Sequence, residues 1–215
     1  MITEERRSVL ETESKSSYVE LCRNTIWPSL RASGGRVICM LTGMIGRPST
    51  HLLQMTSYAD LESWQTSQGA WSVNRESLLR QESVRLLRPI ASRPKNTVPP
   101  EDRRSIYGYR KFFISPTDVS EFVTCSEEGI WPRIENMGAC VLGMWTPMAS
   151  VSPSEIVLLT GYDGPAHWEQ TRFNQEQRSS ANIDDQLWDR ESALRERRIE
   201  LTLDTWVELM RSTDF

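Results

Sequence analysis

The chain has little of what usually carries chemistry. It holds two histidines, His51 and His167, far apart in sequence, and no acidic cluster at ligand spacing, so a bound metal is not expected. Its four cysteines (Cys22, Cys39, Cys125, Cys140) form no CxxC and no Cys/His ligand pattern. They are expected to be buried free thiols in a reducing compartment, which makes the cytoplasm the expected location. No glycine-rich phosphate loop follows a strand, and there is no GxSxG. No apolar run reaches the roughly 18 residues of a membrane span. The start, Met1-Ile2-Thr3-Glu4-Glu5-Arg6-Arg7, lacks a hydrophobic signal core. A net charge of −4 offers no basic face, so nucleic acid is not an expected partner.

What is present is a repeat. Ile26 to Trp64 lies over Ile130 to Trp168 without a gap, at an offset of 104 positions. Ile26-Trp27-Pro28 falls on Ile130-Trp131-Pro132, Gly34 on Gly138, and Val37, Met40, Thr42 and Met44 on Val141, Met144, Thr146 and Met148. Thr56, Tyr58 and Trp64 fall on Thr160, Tyr162 and Trp168. Tryptophan is rare, so two coincidences at one offset point to an internal duplication. The expected division is residues 1–88 as a first unit, 89–104 as a proline-rich linker, and 105–215 as a second unit.

Each unit reads as strand, helix, strand, strand, helix, strand. The first strands are a short polar edge strand around Arg7 to Glu11 and the aromatic-rich Ile106 to Ile114. Ser17 with Glu20, and Asp118 with Glu121, resemble capping boxes that open the first helices. Pro28 and Pro132 should kink or restart those helices, and Gly34 and Gly138 should end them. Val37 to Thr42 and Val141 to Thr146 are buried second strands; His51 to Ser57 and Glu155 to Gly161 are third strands. Asp60 and Gly164-Pro165 start the second helices. Glu82 to Arg88 and Thr205 to Arg211 close the units at an offset of 123, so the second unit carries an insertion near residues 176–194.

This order is the ferredoxin-like βαββαβ unit. The expected fold is α+β, with two tandem units covering each other sheet to sheet as an intramolecular dimeric α/β-barrel-type pair. Gly129-Ile130-Trp131-Pro132, Val141-Leu142-Gly143-Met144-Trp145 and Tyr162-Asp163-Gly164-Pro165-Ala166-His167-Trp168-Glu169 resemble the NIPSNAP domain. The resemblance covers both repeats and implies the dimeric α/β-barrel superfamily. That superfamily includes cofactor-free monooxygenases, cyclases, isomerases and lyases, and haem enzymes. No agreed catalytic set comes with it. The first unit departs from the pattern, with His51 where the second has Glu155 and Ser63 where it has His167.

The candidate acid–base groups are His51, His167, Glu155, Tyr58 and Tyr162. His167 fits a capping role equally, His51 and Glu155 could be exposed strand starts, and a tyrosine at a strand end is commonly packing. Tyr109 and Arg110 form a polar-aromatic cluster in which Arg110 could pair with a substrate carboxylate or form an internal salt bridge. Trp27, Met40, Met44, Trp131, Met144 and Trp145 would form an apolar wall, as core or as the lining for a flat ligand. Two functions fit. One is a cofactor-independent enzyme of specialised metabolism acting on a hydrophobic small molecule by cyclisation, isomerisation or proton transfer. The other is a non-catalytic binding protein that uses the insertion. Remaining edge strands leave room for a homo-oligomer.

Overall fold

The computed structural model describes residues 1–94, 98–149, 151–172 and 185–213. The first half contains β1 (Ile2–Leu10), α1 (Lys15–Leu21), α2 (Trp27–Ala32), β2 (Arg36–Ile45), β3 (His51–Tyr58), α3 (Leu61–Ser67) and β4 (Leu79–Pro89). The second contains β5 (Ile106–Ile114), α4 (Val119–Cys125), α5 (Trp131–Asn136), β6 (Cys140–Pro147), β7 (Ser154–Tyr162), α6 (Pro165–Gln170), α7 (Asp185–Glu200) and β8 (Thr202–Ser212). All eight strands close into one antiparallel barrel in the order β1-β3-β2-β8-β5-β7-β6-β4. The halves therefore contribute the equivalent runs β4-β1-β3-β2 and β8-β5-β7-β6. They join at two seams, where β2 meets β8 and β4 meets β6.

Side chains alternate across each strand, so one set points into the barrel and the other toward the helices. The lumen is shared. Ile38, Leu41, Leu53, Met55 and Leu87 pack there with Tyr107, Tyr109, Leu142, Trp145, Val157, Leu159 and Met210. Its polar part also crosses between the halves. Glu5 accepts hydrogen bonds from Arg7 Nε at 2.9 Å, Arg85 Nη2 at 3.0 Å and the Tyr109 hydroxyl at 2.7 Å. Glu208 accepts from Arg7 and Arg47 at 3.1 and 2.8 Å, and Glu155 pairs with Arg85 and Lys111 at 2.7 and 2.9 Å. Buried carboxylates are tolerated here because each meets several cations or donors.

Several expectations are corrected. β1 is not a short edge strand: it runs nine residues and pairs with both β3 and β4. Its polar character serves two buried faces, with Thr3, Glu5 and Arg7 in the lumen and Glu4, Arg6 and Ser8 under the helices. Closure pairs both sides of every strand, so among the described residues the sheet has no free edge for a homo-oligomer. The first helix starts after Ser14 rather than Ser17, and neither Ser14 nor Asp118 makes a side-chain cap. Asp60 does cap α3, accepting the Ser63 N–H at 2.8 Å. Each expected proline kink is a π turn, Cys22–Ile26 and Ser126–Ile130, immediately before Trp-Pro. The wide turn relieves the clash between the proline ring and the carbonyl four residues earlier. Gly34 and Gly138 end these helices at φ of 87° and 92°, a region that favours glycine. Residues 176–184 of the expected 176–194 insertion lie outside the described residues; 185–194 form the start of α7.

Candidate ligand cavity

The space between sheet and helices is filled in the first half and open in the second. In the first half, Glu4 accepts hydrogen bonds from Arg6 Nε at 2.9 Å, Trp64 Nε1 at 2.7 Å and Gln68 at 3.1 Å. Arg6 also pairs with Glu82 and lies 3.8 Å from the Trp71 ring centre. Arg75 joins Glu82 at 2.8 Å, and Gln54 accepts the Trp27 indole N–H at 2.9 Å. Burial alone would raise the Glu82 carboxyl, but Arg75 and Arg6 outweigh it and hold that group below its ordinary value.

The second half has an arginine at the matching place without the matching acids. Arg6 stands opposite Val84, and Arg110 opposite Val207, which fixes the structural equivalence. Glu4 then corresponds to Gly108, Ser8 to Phe112, Gln54 to Leu158 and Glu82 to Thr205. These replacements leave a cavity of about 660 Å³ beneath α5, α6 and α7. Gly108, Phe112, Leu158, Thr160 and Tyr162 form part of its sheet wall; Ile130, Ile134, Trp168 and Arg198 face them from the helices. Exposed Ile199 and Leu203 stand at its rim. A hollow of this size suits a small organic molecule.

Arg110 and Arg198 both lie against Phe112, with guanidinium carbons 5.7 and 4.4 Å from the ring centre. Phe122 flanks Arg198 at 4.6 Å. Arg198 is 8% exposed, and its Nε and Nη2 meet no acceptor among the described residues. Burial and then the charge of Arg110 push Arg198 down from the ordinary arginine value; burial likewise lowers Arg110. Arg133, also on the wall, is neutralised by buried Glu191 and donates to the Thr171 carbonyl at 3.1 Å. Burial raises the Tyr162 hydroxyl, so it stays a neutral phenol.

Of the residues singled out in the sequence, Arg110 and Tyr162 line this cavity, and Trp131 and Met144 belong to the apolar cluster behind it. Trp27, Met40 and Tyr58 lie in the first half, where burial lifts the Tyr58 hydroxyl to about 12. Met44 is half-buried on β2. Tyr109, Trp145 and Glu155 face the barrel lumen, and the Trp145 indole donates to Thr3 at 2.9 Å. His51 starts β3 opposite Val9, away from the cavity. His167 ties two loops together: its Nδ1 accepts the Asp163 N–H at 3.1 Å and its Nε2 donates to the Met137 carbonyl at 2.8 Å. The structure thus does not bring the two histidines together. Arg198 and Gly108 were not singled out. Comparing the repeats beyond the aligned core would have exposed both, since Gly108 stands at the place of Glu4 and Arg198, at the offset of 123, at the place of Arg75.

No family model matches the chain, and no curated protein does. Among solved structures, a candidate monooxygenase from Lactobacillus acidophilus matches with a TM-score of 0.65 at 9% identity, over 98% of this chain and 93% of that one. An anthrone oxidase-like protein matches with a TM-score of 0.59 at 9% identity, over 99% and 91%. The likeness is one of fold. A NIPSNAP family protein from Agrobacterium tumefaciens matches 41% of this chain and 92% of its own, at 21% identity and a TM-score of 0.36. Among the described residues, no helix is long and apolar enough to cross a membrane.

Proposed function

We propose that this chain is a NIPSNAP-like small-molecule-binding protein made of two tandem ferredoxin-like units, residues 1–88 and 105–215, joined by a linker over 89–104. Its working pocket is the second-half cavity, where it acts on a largely apolar substrate as a cofactor-independent enzyme. The observation that carries this reading is the asymmetry between the halves: one sheet–helix gap is packed with a bonded polar network, and its twin is open. Apolar walls from Phe112, Leu158, Ile134 and Trp168 suit a flat ring system, with Thr160 and Tyr162 available to orient a carbonyl. The neutral Tyr162 hydroxyl can donate to a carbonyl oxygen as it becomes an enolate, the α-proton passing to the Asp204 carboxylate on the cavity lining. Four unpaired cysteines fit work in the cytoplasm.

A binding protein without turnover is the second reading. It is favoured by the lining itself, which among the described residues includes no His, Cys or Glu. The test is a panel of aromatic ketones and enols, screened by thermal shift and by mass-spectrometric product detection without added cofactor. The cavity-filled variant Gly108→Leu serves as control. An added Cβ there meets Tyr162 at 3.4 Å and Val207 at 3.8 Å, ordinary contacts, so the fold should accept it while the space is lost. Ligand shifts and product are expected for the parent and absent in Gly108→Leu. Shifts without product would leave the binding reading standing alone, and equal responses from both proteins would place the function elsewhere.

A further inference from the structure

The two halves carry an arginine at the same register position, opposite Val84 in one and Val207 in the other. In the first, Arg6 sits with Glu4 and Glu82, both bonded to it. In the second, the equivalents of those two acids are Gly108 and Thr205, neither of which can carry charge. A second arginine, Arg198, reaches the same ring, Phe112, from α7; it stands at the place of Arg75, which in the first half pairs with Glu82. Neither Arg110 nor Arg198 has a carboxylate partner among the described residues, and the acid on the cavity lining there, Asp204, is exposed on β8.

Two guanidinium groups on one hollow, with no carboxylate partner among the described residues, form an arrangement that folding alone does not favour. Burying a cation costs several kcal/mol unless it is paired, so two guanidinium groups on the cavity lining without a carboxylate among the described residues call for an explanation. A ligand that supplies the missing negative charge is that explanation. Guanidinium forks match carboxylate geometry and are less strongly hydrated than ammonium groups, which makes this pair a site for an organic anion.

We infer that the second-half cavity binds an aromatic or similarly flat organic anion, its carboxylate or enolate oxygen seated between Arg110 and Arg198 and its apolar body against Phe112, Ile134, Leu158 and Trp168. The inference rests on the cavity being the working pocket and adds the charge of what it takes. The absent acids become an exchangeable counter-ion: what Glu4 and Glu82 do permanently for Arg6, the ligand does reversibly for Arg110. Specificity follows, since a neutral ligand of the same shape would leave both guanidinium groups unpaired.

The test is isothermal titration of the full chain with three probes: 2-naphthoate, its neutral isostere 2-naphthamide, and inorganic phosphate. The same titrations are run on Gly108→Glu, which restores the acid of the first half, and on Arg198→Met. Circular dichroism and thermal melting confirm that each variant is folded. The parent is expected to prefer naphthoate over naphthamide by at least about tenfold, the equivalent of one strong charge-assisted contact. Gly108→Glu should abolish that preference, and Arg198→Met should reduce it several-fold. Equal affinity for naphthoate and naphthamide overturns the charge assignment while leaving the cavity reading intact. Phosphate binding as tightly as naphthoate overturns the organic part of it. If the preference survives in both variants, the anion sits elsewhere; if neither naphthyl probe binds, the cavity reading falls as well.

Discussion

The contrast between Arg6 and Arg110 makes a prediction about stability that needs no ligand. Arg6→Met removes a cation bonded to Glu4 and Glu82, whose side chains are 0% and 18% exposed. Breaking a buried pair from one side costs roughly 3–5 kcal/mol, because the surviving charge is left without its partner. The lower end applies here, since Glu4 keeps the Trp64 and Gln68 donors and Glu82 keeps Arg75. At about 2–4 °C per kcal/mol for a chain of this length, the melting temperature should fall by on the order of 10 °C. Arg110→Met makes the same chemical change at the equivalent position. It removes a cation that has no carboxylate partner among the described residues, so its effect should be neutral or stabilising by about 1 kcal/mol. Urea unfolding at neutral pH measures both, with the slope checked for constancy so that midpoints can be compared. Equal losses for the two variants would refute the reasoning, since they would mean that Arg110 is held by the fold as firmly as Arg6.

Acid should unfold the protein through its buried carboxylates. Burial would raise Glu5 and Glu82, yet Arg7 and Arg85 hold Glu5, and Arg75 and Arg6 hold Glu82, below the ordinary value of 4.5. Their stabilisation is therefore present above about pH 4.5 and is lost as pH falls below it; Glu82→Gln should flatten that limb in a pH series of melts. Trp27→Phe leaves the buried Gln54 oxygen without the indole N–H and should cost about 1–3 kcal/mol by the same urea assay. Burial pushes the Cys22 and Cys39 thiols up to about 12, so in the native protein both should resist a thiol reagent that labels them readily in urea. His167→Ala loses the hydrogen bonds to Met137 and Asp163 and should lower the melting temperature by a few degrees, roughly 1–2 kcal/mol.

The order of strands and helices was legible in the sequence because rare residues recur at one fixed spacing. Trp27 and Trp131, Gly34 and Gly138, and Tyr58 and Tyr162 occupy equivalent places on equivalent elements. The strand start at Ile106 follows from an aromatic-rich run, and that at His51 from the turn residues Gly46-Arg47-Pro48 before it. What could not be read was the polar interior. A strand such as Ile2–Leu10 carries Glu4, Glu5, Arg6 and Arg7 in succession, with no alternation of hydropathy, because ion pairs satisfy both of its faces. Periodicity detects apolar burial only. The same blindness hid Arg198, which lies in a helix so rich in Arg and Glu that it reads as solvated. Of the cavity lining, the sequence singled out Tyr162 and Arg110, and for Arg110 the two open options were a substrate carboxylate and an internal salt bridge. The first half takes the salt bridge with Arg6. In the second half the acids are missing, a difference visible only once the strands are in register.

The most direct measurement is a crystal structure of the full chain grown with 2-naphthoate. The account predicts the naphthyl ring beneath α5, α6 and α7 against Phe112 and Trp168, with the carboxylate bonded to Arg110 and Arg198. A ligand bound in the first half or outside the barrel, or a second-half cavity that stays empty at saturating ligand, would contradict it.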